Sequence, residues 1–562
     1  MSGVHSRPQR FVDRTLSRFL RIAAPTNDYT VHRGVGIPMR DGAVLRATHY
    51  APIADTPLGT ILVRGPYGRS FPFSLLYARL YAARGYHVLL QSVRGTFGSG
   101  GDFVPMVHEA DDAADTVVWL REQPWFTGKF ATIGLSYLGF TQWALLSDPP
   151  PELAAAVVTV GPHDFHASSW GTGSFSLNDF LSWSDSMAHQ EEAITRKLAF
   201  QTRAARRLAY AMHGLPLGRA GRDLLGSRSP WYEAWIEHPG RDDPFWADMR
   251  MTSALDRCDV PVLLISGWQD VFLEQTLLQY RHLRDRGVDV AMTLGPWAHG
   301  DMITKAGGTA AAQTLDWLGT HLAGAAAKAR RSPVRVYVAH HGWIDLPDWP
   351  PDTGDGVLFL QPAGRLAAAP PPVEATPSSF RYDPADPTPT VGGRLLTQKA
   401  GYQDDSELAR RADVLSFTSG PLDADLYVFG HPVVELAHEA DIDYVDLFVR
   451  VSEVDARGHS RNVSDGYRRL NAPEQGPVRI ELDGIAHRFR AGTQVRVLIA
   501  GGSHPRFARN LGTGEPVLTG QRMVPAVHTV HHGAGGVSKL ILPALAGLPS
   551  PDGGADPAGD LI

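Results

Sequence analysis

The stretch Phe130-Ala-Thr-Ile-Gly-Leu-Ser136-Tyr-Leu-Gly-Phe140 decides the fold of this chain. Its apolar run, Ala131 to Ile133, predicts a buried strand, and the apolar spacing from Phe140 onward predicts a helix. A serine between a strand and a helix, with nearby glycines, is typical of a nucleophile elbow. The usual pattern is Gly-x-Ser-x-Gly, but Leu138 stands at the last glycine position and Gly139 follows it. The alternative interpretation is a serine that caps the helix.

Length and composition narrow the class of protein. A chain of 562 residues is too long for one core and predicts two or three domains. A net charge of -6, without long runs of like charge, gives no reason to expect nucleic acid or a membrane as partner. The single cysteine, Cys258, leaves no partner for a disulfide within the chain. The N-terminus lacks the apolar core of a secretory signal, so we expect a cytoplasmic protein.

Strands alternate with helices on both sides of the serine stretch. Strands are predicted at residues 59–64, 86–91, 131–133, 154–160, 260–266 and 288–294, and helices at 73–84, 109–123 and 271–286. This alternation indicates a mostly parallel sheet that is covered by helices on both faces. Active sites of such sheets lie outside the carboxyl ends of the strands, so the residues that follow each strand are the candidates for chemistry.

Two further regions, which differ in composition and pattern from the α/β part, divide the chain into domains. An insertion at residues 165–247, rich in Ser, Trp, Arg and Ala, predicts a helical cap over the catalytic end. It separates the two parts of the α/β domain, residues 1–164 and 248–330. From residue 331 to 562, short alternating runs such as Val334 to Ala339 are separated by Gly, Pro and Asp turns, which is typical of an all-β sandwich.

The ends of two later strands supply the partners that a nucleophilic serine needs. A serine hydroxyl attacks well only when a base removes its proton and a carboxylate orients that base. Asp270 follows the strand at 260–266, and His299 follows the strand at 288–294. Alone, Asp270 could cap the next helix, and His299 could be a loop hydrogen-bonder. Together, the order Ser136, Asp270, His299 is that of α/β-hydrolases and predicts a catalytic triad.

An oxyanion hole needs two donors near the serine. The backbone N–H of Tyr137, the residue after the nucleophile, predicts the first. The second is expected from the loop after the strand at 59–64, whose sequence Gly65-Pro-Tyr67-Gly-Arg-Ser70 offers a tyrosine hydroxyl. The alternative is that Tyr67 packs on the core with its hydroxyl in water.

Several motifs together resemble one known family. They are Pro66-Tyr67, Val93-Arg-Gly95, Gly134-Leu-Ser-Tyr-Leu-Gly-Phe-Thr-Gln-Trp143, Gly267-Trp-Gln-Asp270, Gly295-Pro-Trp-Ala-His299 and Asp413-Val-Leu-Ser-Phe-Thr-Ser-Gly-Pro421. This set resembles the bacterial cocaine esterase family of serine hydrolases, of the CocE/NonD type, which groups with X-prolyl dipeptidyl peptidases and α-amino acid ester hydrolases. The resemblance implies an α/β-hydrolase domain with an inserted helical cap, followed by a C-terminal jelly-roll β-sandwich.

The resemblance also implies the roles of individual residues. Ser136, Asp270 and His299 would be the triad, with Tyr67 and the Tyr137 amide as oxyanion donors. Trp170 and Phe272 match positions that shape the acyl pocket. The chain departs from the family pattern at Ser92, where aspartate is common, and at Gly68, where an acidic residue is common. Both departures bear on substrate preference.

We therefore expect a serine hydrolase that cleaves carboxylic esters, with amides as an open alternative, through an acyl-enzyme. An X-prolyl or α-amino acid acyl aminopeptidase would need an acidic site for the substrate amine, for which the candidates are Asp179, Asp185, Glu191 and Glu192. A competing class is a non-catalytic protein that binds a ligand through the jelly roll.

The expected partner is a small-molecule ester or amide, and the oligomeric state is open, a homodimer included. No cofactor and no metal are expected. Adjacent histidines on a strand face opposite ways, and no acidic ligand set accompanies them in the sequence, so we interpret the following as surface side chains. They are His340, His341, His528, His531 and His532.

Overall fold

The computed structural model, which describes residues 2–4, 7–192, 194–325, 330–397 and 399–548, builds the first part of the chain around a sheet of 11 strands. In chain order these are β1 (Ser2–Val4), β2 (Asp28–Pro38), β3 (Val44–Ile53), β4 (Thr60–Gly65), β5 (His87–Ser92), β6 (Phe130–Leu135), β7 (Leu153–Thr159), β8 (Val262–Gln269), β9 (Val290–Ala298), β10 (Val334–Val338) and β11 (Gly342–Leu346). In space the order is β1-β2-β3-β5-β4-β6-β7-β8-β9-β10-β11.

The strands from β5 to β10 in that order run parallel, and the hairpins at both ends run antiparallel. The chain passes from β4 to β5 on one side and then returns to β6 on the other side of β4. Ligand sites of open α/β sheets lie where the strand order reverses in this way. The loops that follow β4 and β6 carry Tyr67 and Ser136, and both therefore begin at this switch point.

Helices cover both faces of the sheet, as the alternating sequence pattern predicts. They are α1 (Arg7–Phe19), α2 (Leu80–Ala82), α3 (Glu109–Arg121), α4 (Tyr137–Leu146), α10 (Thr252–Arg257), α11 (Leu273–Asp285) and α12 (Gly307–His321), with α5 (Phe165–Trp170), α6 (Leu177–His189), α7 (Ile194–His213), α8 (Leu217–Leu225) and α9 (Trp231–Glu237) between β7 and β8. Side-chain alternation along β4 sends Leu62 into the core under α3, α4 and α11, and sends Ile61 and Val63 into the core under α2 and α12. The insertion is helical, and its bounds at residues 165–247 remain a prediction.

One strand belongs to a different sheet from the one that the sequence predicts. The alternating pattern places the run from Val334 in the sandwich, but β10 pairs parallel with β9 and so extends the sheet of the α/β domain. The interpretation was wrong because the alternation Val-Arg-Val-Tyr-Val specifies a strand and its buried face without specifying its neighbour.

The rest of the C-terminal region is all β, and its architecture is the predicted jelly roll. Its strands are β12 (Gly354–Gln361), β13 (Arg365–Ala367), β14 (Ser378–Tyr382), β15 (Val414–Thr418), β16 (Leu426–Gly430), β17 (Val433–Leu436), β18 (His438–Ala440), β19 (Val445–Val454), β20 (Ser460–Leu470), β21 (Val478–Glu481), β22 (Ile485–Phe489), β23 (Gln494–Ala500), β24 (Ala526–Val530) and β25 (Lys539–Leu545). They form one sheet of 11 strands and one of three, around a separate apolar core. None of the helices in the described part of the chain combines the length and apolarity that crossing a membrane requires.

The interpretation of the C-terminal histidines as surface side chains was wrong for two of them. His528 and His532 have no exposed surface. The ring of His528 stacks on Phe380 with centroids 4.5 Å apart. Strand β24 lies between β14 and β18, so a histidine on its inner face is covered whatever its polarity.

Buried histidines predict a marked loss of stability in mild acid. Burial lowers the pKa of His49 and His528 to about 3 and that of His163 to about 4. Between these values and the unfolded pKa of about 6.5, the unfolded chain binds protons that the folded chain does not. The free energy of unfolding should therefore fall with decreasing pH across this window, by up to about 1.4 kcal/mol per pH unit for each ring.

Urea unfolding between pH 7 and pH 5 measures this slope. His528→Phe should reduce the slope by about one proton. Equal slopes in wild type and His528→Phe would contradict the assignment.

Candidate active site

Ser136 occupies a sharp turn between β6 and α4. Its backbone has φ 57° and ψ −121°, a conformation that non-glycine residues seldom adopt. Strain of this kind persists only where the surroundings impose it, and it is characteristic of nucleophile elbows. The turn lifts the serine side chain out of the strand, at the carboxyl end of the sheet.

Close packing explains why the last glycine of the elbow is displaced by one position. A Cβ on Gly139 would lie 2.5 Å from Cα of Gly161, because α4 approaches the chain after β7 at this point. Leu138 can occupy the usual glycine position because Gly65 has no side chain. A Cβ on Gly65 would lie 2.3 Å from Cδ1 of Leu138, so the leucine fills the space that this glycine leaves. The position that requires a glycine is therefore Gly139, one residue later than in the usual pattern.

The structure brings the three predicted triad residues into one hydrogen-bonded chain. His299 Nε2 lies 3.0 Å from Ser136 Oγ, and His299 Nδ1 lies 2.7 Å from Asp270 Oδ2. A carboxylate can only accept, so the Nδ1 of His299 carries the proton and its Nε2 is free to accept the serine proton. This tautomer is the one that a general base requires.

Asp270 is held by its own loop. The residue is fully buried, and its Oδ1 accepts a hydrogen bond of 2.8 Å from the backbone N–H of Phe272. The helix α11 begins at Leu273 with Phe272 at its N-cap and no side-chain cap, so this bond lies within the loop before the helix and Asp270 is not the cap. With one oxygen fixed by the backbone, the other has a set direction toward His299.

Tyr67, the predicted second oxyanion donor, lies beside the nucleophile. Its hydroxyl accepts a hydrogen bond of 3.2 Å from Nε1 of Trp183. Burial raises the pKa of Tyr67, while hydrogen bonds with Trp183 and Ser136 act in the opposite direction. The hydroxyl therefore stays protonated at neutral pH and is available as a donor near Ser136.

Tyr137 is anchored through its side chain by a buried network that the sequence did not reveal. Its hydroxyl donates to Glu109 Oε1 over 2.8 Å and accepts from the N–H of Met106 over 2.7 Å. Glu109 is also paired with Arg64 over 3.0 Å. Arg64 lies on β4 three residues before Tyr67, so this ion pair connects the strand that leads to one predicted oxyanion donor with the side chain of the other.

The two residues predicted to shape the acyl pocket lie in different surroundings. The ring of Phe272 packs edge-on against His299, with centroids 5.4 Å apart. Trp170 donates its N–H to the carbonyl of Trp235 over 2.8 Å and lines a cavity of about 700 Å³ between the cap and the jelly roll. The described wall of that cavity does not include the triad, so a role for Trp170 in the acyl pocket remains a prediction.

The four carboxylates considered as an amine site all have partners within the protein. Asp185 is paired with Arg207, Glu192 is paired with Arg228, and Glu191 accepts from the N–H of Phe97. Asp179 accepts from the N–H of Leu396 and the amide of Asn178, and its burial raises its pKa. A raised pKa disfavours the charged form that would bind an ammonium group.

The two departures from the family pattern have local structural reasons. Gly68 has φ +83°, and a Cβ there would lie 2.9 Å from the ring of Phe97. Any side chain at residue 68 would therefore be strained and crowded. The hydroxyl of Ser92 accepts a hydrogen bond from Arg69, in the same loop as Tyr67.

One histidine cluster does include a carboxylate, contrary to the sequence interpretation. Nε2 of His340 and Nε2 of His487 each lie 3.0 Å from Oε2 of Glu453. The sequence concealed this set because its members are more than 30 residues apart. Arg490 lies 3.8 Å from the other carboxylate oxygen, and Arg461 is the cross-strand partner of Glu453. Two positively charged side chains therefore lie near this carboxylate.

Comparison with known proteins gives consistent matches along the chain. Residues 41–301 match the model of the X-Pro dipeptidyl-peptidase (S15 family), and residues 326–541 match the X-Pro dipeptidyl-peptidase C-terminal non-catalytic domain. The cocaine esterase of Rhodococcus sp. (strain MB1 Bresler) is 28% identical over 92% of this chain and 99% of its own length. A putative serine esterase of Mycobacterium bovis is 23% identical over 84% of this chain and 90% of its own length.

Solved structures share the fold. An aminopeptidase from a marine sediment Thaumarchaeota archaeon superposes with a TM-score of 0.79 at 23% identity, covering 92% of this chain and 96% of its own. An α-amino acid ester hydrolase superposes with a TM-score of 0.78 at 23% identity, covering 93% and 98%. A CocE/NonD family hydrolase from Staphylococcus aureus gives 0.68 at 18% identity, covering 92% and 94%.

Proposed function

Because the chain belongs to the cocaine esterase family of serine hydrolases, we propose that it is a serine carboxylesterase with Ser136 as nucleophile, His299 as general base and Asp270 as the orienting carboxylate. The observation that carries this proposal is the hydrogen-bonded chain from Ser136 through His299 to Asp270. Three residue types in the right order, each at the end of a strand and each within bonding distance of the next, support a working triad.

The reaction follows from this chain of hydrogen bonds. Ser136 Oγ attacks the ester carbonyl carbon while His299 Nε2 takes the serine proton, and Asp270 stabilises the resulting imidazolium. The negative charge on the tetrahedral intermediate is met by the N–H of Tyr137 and the hydroxyl of Tyr67. Collapse expels the alcohol, which receives the proton from His299, and leaves an acyl group on Ser136. Water, deprotonated by His299, then attacks the acyl-enzyme and releases the acid.

Two features of the site support neutral esters over amino-acyl substrates. The four candidate carboxylates for binding a substrate amine have partners within the protein. The residue that faces His299 from the Asp270 loop is the aromatic Phe272. Its apolar ring suits an uncharged acyl group, and we propose that it forms one wall of the acyl pocket.

A panel of chromogenic substrates tests the proposal. We expect p-nitrophenyl acetate and benzoate to be hydrolysed at least 100-fold faster, in kcat/KM, than an X-prolyl p-nitroanilide, and a free α-amine on the acyl group to give no advantage. Absence of ester turnover by the folded protein would support a jelly-roll binding protein instead. Faster cleavage of the X-prolyl anilide would support the aminopeptidase alternative.

A further inference from the structure

We propose that Trp183, on the cap helix α6, is a positioning residue for the oxyanion hole, which acts by donating its indole N–H to the hydroxyl of Tyr67. The inference rests on the proposed function, since it assigns a role in the same reaction. The two side chains lie 116 residues apart in the chain, so their contact arises only in the folded protein.

The direction of the hydrogen bond between Trp183 and Tyr67 determines where the tyrosine can donate its own proton. An indole nitrogen can only donate, so in the contact of 3.2 Å the oxygen of Tyr67 is the acceptor. A phenol has one proton of its own. With one lone pair of its oxygen engaged by Trp183, Tyr67 is limited in how its O–H can turn, and the same hydroxyl also interacts with Ser136. The Trp183 N–H thus aims the tyrosine proton toward the place where the oxyanion forms.

The same contact strengthens Tyr67 as a donor. Donation into the phenol oxygen stabilises partial negative charge on that oxygen, which makes its own proton a better donor. In line with this, the hydrogen bond from Trp183 lowers the pKa of Tyr67 against the larger opposing effect of burial. The effect is larger in a water-poor site than at the surface because the local dielectric is low.

Packing holds the indole in this orientation. The ring of Trp183 is stacked on Tyr137, with centroids 6.2 Å apart and planes 7° apart, and it lies 5.9 Å from Trp235 of α9. One side chain of the cap therefore contacts both residues that we assign to the oxyanion hole. A ring fixed by neighbours on two sides loses little further entropy when the intermediate forms.

Residue 184 attaches this part of α6 to the rest of the cap. The hydroxyl of Ser184 accepts from Nε1 of Trp231 over 3.1 Å, and its carbonyl accepts from the hydroxyl of Ser229 over 2.9 Å. The position of Trp183 is thus set by the cap as a whole. It follows that the oxyanion hole is complete only while the cap is docked on the α/β domain.

Trp183→Phe tests the inference because it keeps an aromatic ring for stacking and removes the N–H. We expect kcat for p-nitrophenyl benzoate to fall about 10-fold, as for loss of a single hydrogen bond in a buried site, with KM changed less than about threefold. Tyr67→Phe should lower kcat about 100- to 1,000-fold. In the Tyr67→Phe background, Trp183→Phe should have no further effect, because its target hydroxyl is gone.

Trp246→Phe is the matched control, since it removes another indole N–H of the cap whose acceptor is the carbonyl of His238 rather than Tyr67. It should leave kcat within about twofold. If Trp183→Phe does not fold, Trp183→Tyr removes the same N–H and enters the same cycle.

The outcomes separate this inference from the proposed function. Equal losses from Trp183→Phe in both backgrounds, or a change confined to KM, would show that the tryptophan acts by packing on the substrate and would overturn the inference alone. Wild-type kcat in Tyr67→Phe would overturn the oxyanion role of Tyr67, and the inference with it, while leaving the triad standing. An effect of Trp183→Phe on kcat that disappears in the Tyr67→Phe background supports both.

Discussion

Ser136→Ala is expected to lower kcat for ester hydrolysis by roughly 10⁴- to 10⁶-fold, because the acyl-enzyme can no longer form. The residual rate should come from the oxyanion donors acting on direct attack by water. Stability should change little, since the hydroxyl of Ser136 interacts with two side chains, those of His299 and Tyr67, and alanine meets the same backbone strain at φ 57°. Steady-state kinetics with p-nitrophenyl acetate, together with thermal unfolding, measure both effects.

Ser147→Ala is the control for this substitution. Ser147 follows α4, and its hydroxyl bonds to the carbonyl of Ala144, remote from the triad. Wild-type rates are expected. Retention of more than about 1% activity in Ser136→Ala, in protein purified free of wild type, would show that another residue is the nucleophile.

Asp270→Asn should reduce kcat by about 10⁴-fold at neutral pH while the fold is kept. The reason lies in the backbone N–H of Phe272, which donates to one oxygen of the side chain over 2.8 Å. An asparagine must direct its carbonyl oxygen at this N–H, which leaves its NH₂ group facing Nδ1 of His299. Two donors cannot face each other, so the histidine proton moves to Nε2, where it blocks acceptance of the Ser136 proton.

The loss in Asp270→Asn should appear in the rate constant of acylation. Stopped flow measures this rate constant as the release of p-nitrophenol from a p-nitrophenyl ester. Asp285→Asn, at the exposed end of the helix that follows the same loop, should behave as wild type. A decrease of less than tenfold in Asp270→Asn would mean that His299 holds its tautomer without the carboxylate, and the orienting role of Asp270 would be wrong.

The sequence predicted most of the α/β architecture because periodicity reports burial directly. The apolar runs that became β4, β6, β8 and β9 are buried along nearly their whole length, as a central parallel strand must be. The carboxyl ends of parallel strands meet at one edge, so Ser136, Asp270 and His299 could be singled out before their distances were known.

The features that sequence reasoning missed depend on contacts between distant parts of the chain. The local sequence pattern does not predict that β10 pairs with β9 in the first sheet. It also does not predict that Glu453 lies between His340 and His487. The pair of Arg64 with Glu109 and the bond from Trp183 to Tyr67 likewise arise only when separate elements pack together. The only advance signal for Trp183 was the high tryptophan content of the insertion.

Labelling with a fluorophosphonate probe, read by peptide mass spectrometry, tests the central claim most directly. Such probes react with a serine only when a base has activated it and an oxyanion site receives the phosphonyl oxygen. We predict one adduct, on Ser136, with loss of esterase activity in proportion to labelling and no adduct in Ser136→Ala. An adduct on another serine, or full ester turnover by protein that does not label, would contradict the assignment of Ser136, His299 and Asp270 as the catalytic triad.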